Sequence, residues 1–429
     1  MIKGLKDIFS PRNKDLKKKI LFTLLILFIY NVGTGIRVPG TEKITSDLGF
    51  LELLNVMGGG SLKKFSIFAL GVTPYISASI ITQLLQMDII PYFSNLAKEG
   101  HSGRVKLNKI TRYLGILLAF LQGLVMSYSL VGNEFFGHTP TALDYLTISV
   151  ILTAGTCLLL WLGDQISSKG VGNGISILIM AGILISTPNM LKDAFSSFVT
   201  FQGASTQEIS LGVAKFILFL LLYVAIIVGI VFIEKSERRV PIQYSNRTQS
   251  AYGAKQTYIP LKLNSAGVMP VIFASSLIAI PSLIAAFIKK DGFSLFINKY
   301  INYNTVTGFI LYIFFIILFS YLYTFMAGLR PKDLADNLNK QGGYIPGIRP
   351  GNETKKYVSK VLSRTTFLGA IFLVFIAGLP ILVSNLSTLP TSVTVGGTGL
   401  LIVVGVALET YNQIESTLQA RRYERGYKR

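Results

Sequence analysis

Ten stretches without a single charged residue, most of them rich in Leu, Ile and Phe, divide this chain. They lie at roughly 20–36, 69–87, 113–131, 145–163, 174–191, 216–233, 263–288, 308–329, 367–384 and 395–408. A helix needs about 20 apolar residues to cross the hydrocarbon core of a bilayer, so the pattern predicts ten transmembrane helices. The second stretch is polar for lipid contact, with Thr73, Ser77, Ser79, Thr82, Gln83 and Gln86. The tenth is short and is expected to continue as helix past Glu409. Weak spans of this kind belong against protein or water, because an unpaired polar group in lipid is costly. Charged residues make up 14% of the chain, where a soluble protein carries about 25%. A membrane bundle uses all 429 residues as one unit.

The net charge of +20 invites a nucleic-acid reading, but its placement answers it. Of the 41 lysines and arginines, 32 fall in alternate segments beginning with the N-terminal tail. That is the positive-inside pattern, and it predicts cytoplasmic termini and no DNA partner. The N-terminus is basic and then apolar, yet no Ala-x-Ala site follows, so it reads as a retained first helix. Two cytoplasmic loops are long and basic, 234–262 and 330–366; they suit docking to an acidic partner or to ribosomal RNA. The single cysteine, Cys157, excludes a disulfide framework, and His101 and His138 have no neighbour at ligand spacing. No phosphate-binding Gly-Lys-Ser/Thr loop and no nucleophile–base pair stands out. The expectation is a non-enzyme without metal or cofactor.

An internal repeat organises the spans. Residues 71–79 read GVTPYISAS and residues 267–275 read GVMPVIFAS. The copies fall in the second and seventh spans, five apart. An odd number of spans per half turns the halves over, which predicts an inverted repeat of residues 1–205 and 206–429. Glycine followed by proline three residues later opens or kinks a helix, and broken helices at matching positions point to a central pathway. Upstream of the first copy, residues 51–65 read LELLNVMGGGSLKKF, too short and too polar to span. Such a segment either lies at the interface or folds back among the helices.

Several stretches together resemble the SecY/Sec61-alpha family of protein-export channels. They are SIFALGVTPYISASIITQLL (66–85), WLGDQISSKGVGNGIS (161–176), ERR (237–239), NSAGVMPVIFASS (264–276), YIPGIRPG (344–351) and GGTGLLIVV (396–404). They occur in the family's order and cover nearly the whole chain. The resemblance implies an all-α clamshell of ten helices that moves unfolded secretory proteins across the bacterial plasma membrane and releases transmembrane segments sideways into it. The implied apolar pore ring is Val72 and Ile76, Ile175 and Ile179, Ile272 and Ile402. Branched apolar side chains in a narrow ring dewet, block small solutes and yield around any passing chain. The implied plug includes Leu51, Leu53, Leu54, Val56, Met57, Gly58, Gly59 and Gly60.

The implied lateral gate lies between the second and third spans and the seventh and eighth, with Gln83 and Gln86 as polar contacts. A signal-sequence helix leaves through it because apolar surface gains about 25 cal/mol per Å² outside water. Arg349, with Arg238, Arg239 and Arg247, is implied to dock cytoplasmic partners. After Arg247 the loop departs from the family pattern and lacks paired arginines, which leaves open how the two loops share that work. The implied partners are the SecE and SecG subunits, the motor ATPase SecA, the ribosome, unfolded preproteins with their signal peptides, and membrane lipids. The readings set against this are an accessory member of the family serving few substrates, a secondary transporter, which needs a polar midplane site, and an intramembrane enzyme.

Overall fold

The computed structural model describes residues 14–41, 52–86, 90–130, 141–199, 206–244, 257–288, 291–301, 305–326, 330–386 and 391–427. In chain order the helices are α1 (Lys14–Gly35), α2 (Glu52–Met57), α3 (Thr73–Leu85), α4 (Pro91–Lys98), α5 (His101–Leu130), α6 (Ala142–Lys169), α7 (Gly174–Phe198) and α8 (Thr206–Lys235). Strands β1 (Glu237–Tyr244) and β2 (Thr257–Lys262) follow. Then come α9 (Met269–Ile288), α10 (Asp291–Tyr300), α11 (Val306–Met326), α12 (Pro331–Lys340), β3 (Gly343–Tyr344), α13 (Asn352–Leu386) and α14 (Thr391–Tyr427). The ten predicted spans correspond to α1, α3, α5, α6, α7, α8, α9, α11, α13 and α14. Among the described residues, six of these are long and apolar enough to cross a membrane outright.

Helix α14 runs on to Tyr427, past Glu409 as expected. Helix α3 is shorter than its predicted span, with 13 residues. At 1.5 Å per residue it covers about 20 Å, less than a bilayer core. The chain in front of it is not wasted: residues 52–72 fold inward and bury Leu62, Phe65 and Phe68. Helix α3 starts late because Gly71 takes φ +58°, a left-handed turn natural to glycine. The repeat's other copy does the same, with Gly267 at φ +62° before α9. In both, the following valine carbonyl accepts the first helical bonds: Val72 from the Ile76 amide at 3.1 Å and Val268 from the Ile272 amide at 3.3 Å. Pro74 and Pro270 sit in the first turn, where a missing amide donor costs nothing. Each glycine carbonyl is pinned, Gly71 by the Thr156 hydroxyl at 3.3 Å and Gly267 by the Asn264 amide at 3.0 Å. The matching letters are thus matching backbone geometry.

The outer surface is apolar. Leu218, Leu221, Val224, Val228 and Phe232 of α8 lie exposed on one helix, as lipid-facing residues do. Helices α6 and α7 approach through small residues. A Cβ added at Gly174 would lie 1.8 Å from the Gly163 carbonyl oxygen, whereas one at Gly229 meets nothing within 4 Å. Gly174→Ala is therefore expected to push α6 and α7 apart at a cost of about 1–3 kcal/mol, as overpacking does. Thermal unfolding in detergent should fall by several degrees for Gly174→Ala and stay level for Gly229→Ala; equal melting would refute the contact.

Candidate functional site

Four helices deliver the six candidate constriction residues to one place. Val72, Ile76, Ile179, Ile272 and Ile402 are buried within a single apolar cluster, and Ile175 packs half-buried against it. The starts of α7 and α9 are held. Asn173 caps α7, its side-chain oxygen accepting from the Ile175 amide at 3.2 Å. The loop before it is tied to α1, since the Val171 amide donates to the Thr23 hydroxyl at 3.2 Å. The start of α9 is tied to α8 through Asn264, which donates to Glu234 at 2.6 Å. Val268 joins the same cluster. It is the repeat partner of Val72, so the repeat itself was the signal that could have added it to the six.

Segment 52–65 buries Glu52, Leu54–Met57, Ser61, Leu62 and Phe65, while Lys63 and Lys64 stay exposed. Helix α2 packs against α7 and α14, and Val56 and Met57 belong to the same apolar cluster as the candidate constriction residues. Leu54 faces a second cluster with Leu62 and Phe65. The glycines bend the chain: Gly59 and Gly60 take φ +74° and +76°. The Asn55 amide donates to Glu52 at 3.0 Å, and its side-chain oxygen accepts from the Lys63 amide at 2.9 Å. Of the two sequence-level options, folded back among helices is the one observed. Leu51 and the side chain of Leu53 lie outside the described residues.

Helix α3 packs closely along α5, and α9 along α11, while α9 meets α3 and α5 more sparsely. That looser contact is the seam between halves. Gln83 donates to Ser79 at 3.2 Å and Gln86 to the Thr82 carbonyl at 3.2 Å, both within their own helix.

At the end of the bundle bearing the long basic loops, a small sheet appears that the helix-only reading omits. Strand β1 pairs antiparallel with β2 from Glu237↔Lys262 to Ile242↔Thr257, and with β3 at Gln243↔Tyr344 and Tyr244↔Gly343. The two loops are therefore one platform, not two independent arms. Its core joins Val240, Leu261 and Ile345 to Val358, Val361 and Leu362 of α13. Pairing across about 100 residues leaves no local trace in sequence, which is why it was missed. Leu261→Ala should cost about 2–5 kcal/mol and free the loops. Limited proteolysis should then cut within them faster than in the parent; unchanged cutting would mean the loops hold shape independently.

Arg349 is exposed on this platform. Pro346 and Gly347 form a tight turn, Gly347 at φ +81° and the Ile348 amide donating to the Ile345 carbonyl at 3.0 Å. That is the form of a type II turn. The buried Thr354 hydroxyl donates to the Arg349 carbonyl at 3.0 Å. Arg238, on β1 of the same platform, is also exposed. Arg239 is engaged already, donating to Glu237 at 2.8 Å and lying 4.7 Å from the Tyr258 ring centre. The hydrogen bond it donates to Glu237 raises its affinity for its proton above the ordinary arginine value. Arg247 lies outside the described residues.

Comparison with known proteins decides the family. The SecY family profile matches residues 66–411. This chain belongs to the SecY family. Protein translocase subunit SecY of Staphylococcus aureus is 45% identical over 434 aligned positions, covering 99% of each chain. That of Halalkalibacterium halodurans is 44% identical over 434, again with 99% of each covered. Among solved structures, one described as a protein conducting channel aligns at TM-score 0.64 and 18% identity, covering 94% of this chain and 92% of that one. Sec61 in the canine ribosome-channel complex from the endoplasmic reticulum aligns at 0.61 and 18%, with the same coverage. The fold of the SecY family is thus the fold here: ten membrane helices in two inverted halves of five, set as a clamshell around a central pore. The chain is embedded in a membrane.

Proposed function

We propose that this chain is the protein-conducting channel of the bacterial plasma membrane, passing unfolded secretory proteins across and releasing transmembrane segments sideways. One observation carries the reading. Branched apolar residues from four helices of two inverted halves, Val72, Ile76, Ile175, Ile179, Ile272 and Ile402, converge on one cluster that segment 52–65 covers. A narrow apolar collar excludes ions by dewetting and makes no specific polar contact with the chain that passes. On this reading residues 52–65 are the plug, the seam between α3–α5 and α9–α11 is the lateral gate, and Gln83 and Gln86 line its polar edge.

The channel is passive. Work comes from a partner on the cytoplasmic side, the SecA ATPase or a translating ribosome, docked on the platform around Arg349 and Arg238. The basic charge around both termini supports a cytoplasmic position for them, and the exposed apolar helices leave room for SecE and SecG as well as lipid. Residues 1–205 and 206–429 are the two shells. The test is a stalled secretory chain bearing a single cysteine, probed for disulfide adducts with Ile76→Cys and Ile272→Cys in a Cys157→Ala background. Adducts at both positions, and none at Phe232→Cys on the outer surface, are expected; equal labelling at Phe232→Cys, or none at the isoleucines, overturns the reading.

A further inference from the structure

Helix α7 carries Gly182 and Ser186 four residues apart, so both face the same side. Segment 52–60 is seated on that side. The Ser186 hydroxyl, itself buried, donates to the Val56 carbonyl at 3.0 Å. A Cβ added at Gly182 would lie 2.1 Å from the Met57 carbonyl oxygen and 2.9 Å from the Tyr30 hydroxyl. A Cβ at Gly59 would lie 3.4 Å from the Gly182 Cα, so here two backbones touch.

These contacts have a reason in the short helix. The six residues of α2 leave their last carbonyls without partners inside the helix. The following turn satisfies some: the Gly58 amide donates to Leu54, Gly59 to Val56 and Gly60 to Asn55. Helix α7 adds a donor from outside the segment. Glycine inside a 25-residue helix is disfavoured relative to alanine, so α7 gains nothing from Gly182 itself. What Gly182 provides is room for the Met57 carbonyl.

We propose that Gly182 and Ser186 form the seat of the plug, and that this seat sets how good a signal sequence must be to open the channel. The proposal rests on reading residues 52–65 as the plug. Opening requires α2 to leave α7, so the strength of the seat is subtracted from what a signal sequence gains in the gate. A weaker seat admits poorer signals and leaks more at rest.

The test uses the full chain with its companion subunits in vesicles, with Cys157→Ala and one reporter, Met57→Cys, labelled by a membrane-impermeant maleimide. Losing one hydrogen bond of ordinary strength shifts an equilibrium about fivefold. Ser186→Ala should therefore raise the labelling rate at Met57→Cys about fivefold, and Gly182→Ala should raise it further. Both should export a preprotein whose signal core is interrupted by a charge. Labelling at a buried reporter in the core of the loop platform, Leu362→Cys, should not change. Labelling at Met57→Cys that matches the parent in both variants, while the parent exports an intact preprotein, overturns the seat. A rise at Leu362→Cys as large as at Met57→Cys overturns it too, since the protein as a whole has then loosened. A parent that exports nothing overturns the channel reading beneath it.

Discussion

A channel carrying Ile272→Asn should conduct ions at rest and export preproteins whose signal sequences the parent rejects. Ile272 is 4% exposed and sits among apolar side chains of the central cluster. An amide placed there without a partner costs about 1–3 kcal/mol in the closed state. In the open state the same amide meets water or a polar chain and loses little. The difference moves the closed-to-open ratio by about 5- to 150-fold. Wetting adds to this, because a collar with one amide no longer excludes water as a purely aliphatic one does. Ile76→Asn, at the matching repeat position on α3, should act alike. If both residues line one collar, the double variant should add less than the sum of the two, as neighbours do. Ile272→Val, which keeps the aliphatic character, should stay near the parent. Planar-bilayer conductance and export of a charge-interrupted preprotein measure the effect. Parental values for both asparagine variants would remove Ile76 and Ile272 from the seal.

Arg349→Glu should reduce motor-driven export at least tenfold while the chain itself accumulates and melts like the parent. Stability should hold because Arg349 is exposed and its side chain supports no core contact. Binding should suffer because the tip is stiff before any partner arrives. The Pro346–Gly347 turn and the Thr354 hydroxyl fix the backbone on both sides of the guanidinium. A preorganised anchor loses little conformational freedom on docking. Truncating an arginine anchor at an interface costs about 2 kcal/mol or more, and reversal of charge adds repulsion. Arg349→Lys should recover only part of the rate, since an ammonium lacks the planar fork that grips a carboxylate or phosphate at two points. Rates of preprotein uptake into vesicles with saturating SecA provide the measurement. Uptake at the parental rate by Arg349→Glu would exclude the tip as an anchor.

Much of the architecture was legible because a bilayer is a severe solvent. Ten uncharged stretches, and lysines and arginines gathered in alternate segments, leave few arrangements that satisfy every backbone group in lipid. The repeated GVxPxIxAS pattern also marked where the backbone breaks, since only glycine at positions 71 and 267 enters the left-handed region at low cost before a proline-led helix. The six candidate constriction residues are different. An isoleucine facing a pore and one in an ordinary core look identical in sequence, and only the family resemblance chose among them. Val268 shows the limit of that choice, since it shares the cluster and the repeat position of Val72 and was not among the six.

What the tertiary structure alone decided was every contact between residues far apart in the chain. Segment 52–65 reads in sequence as an interfacial helix or as one folded back among the others; its contacts with Gly182 and Ser186, about 130 residues later, put it among the helices. The joining of two basic loops by β1 and β3 is likewise a pairing across about 100 residues. Hydrophobic periodicity and charge bias act through the immediate solvent and so leave a mark on every window of sequence. Seats and pairings depend on the shape of a partner surface that exists only once the bundle has closed.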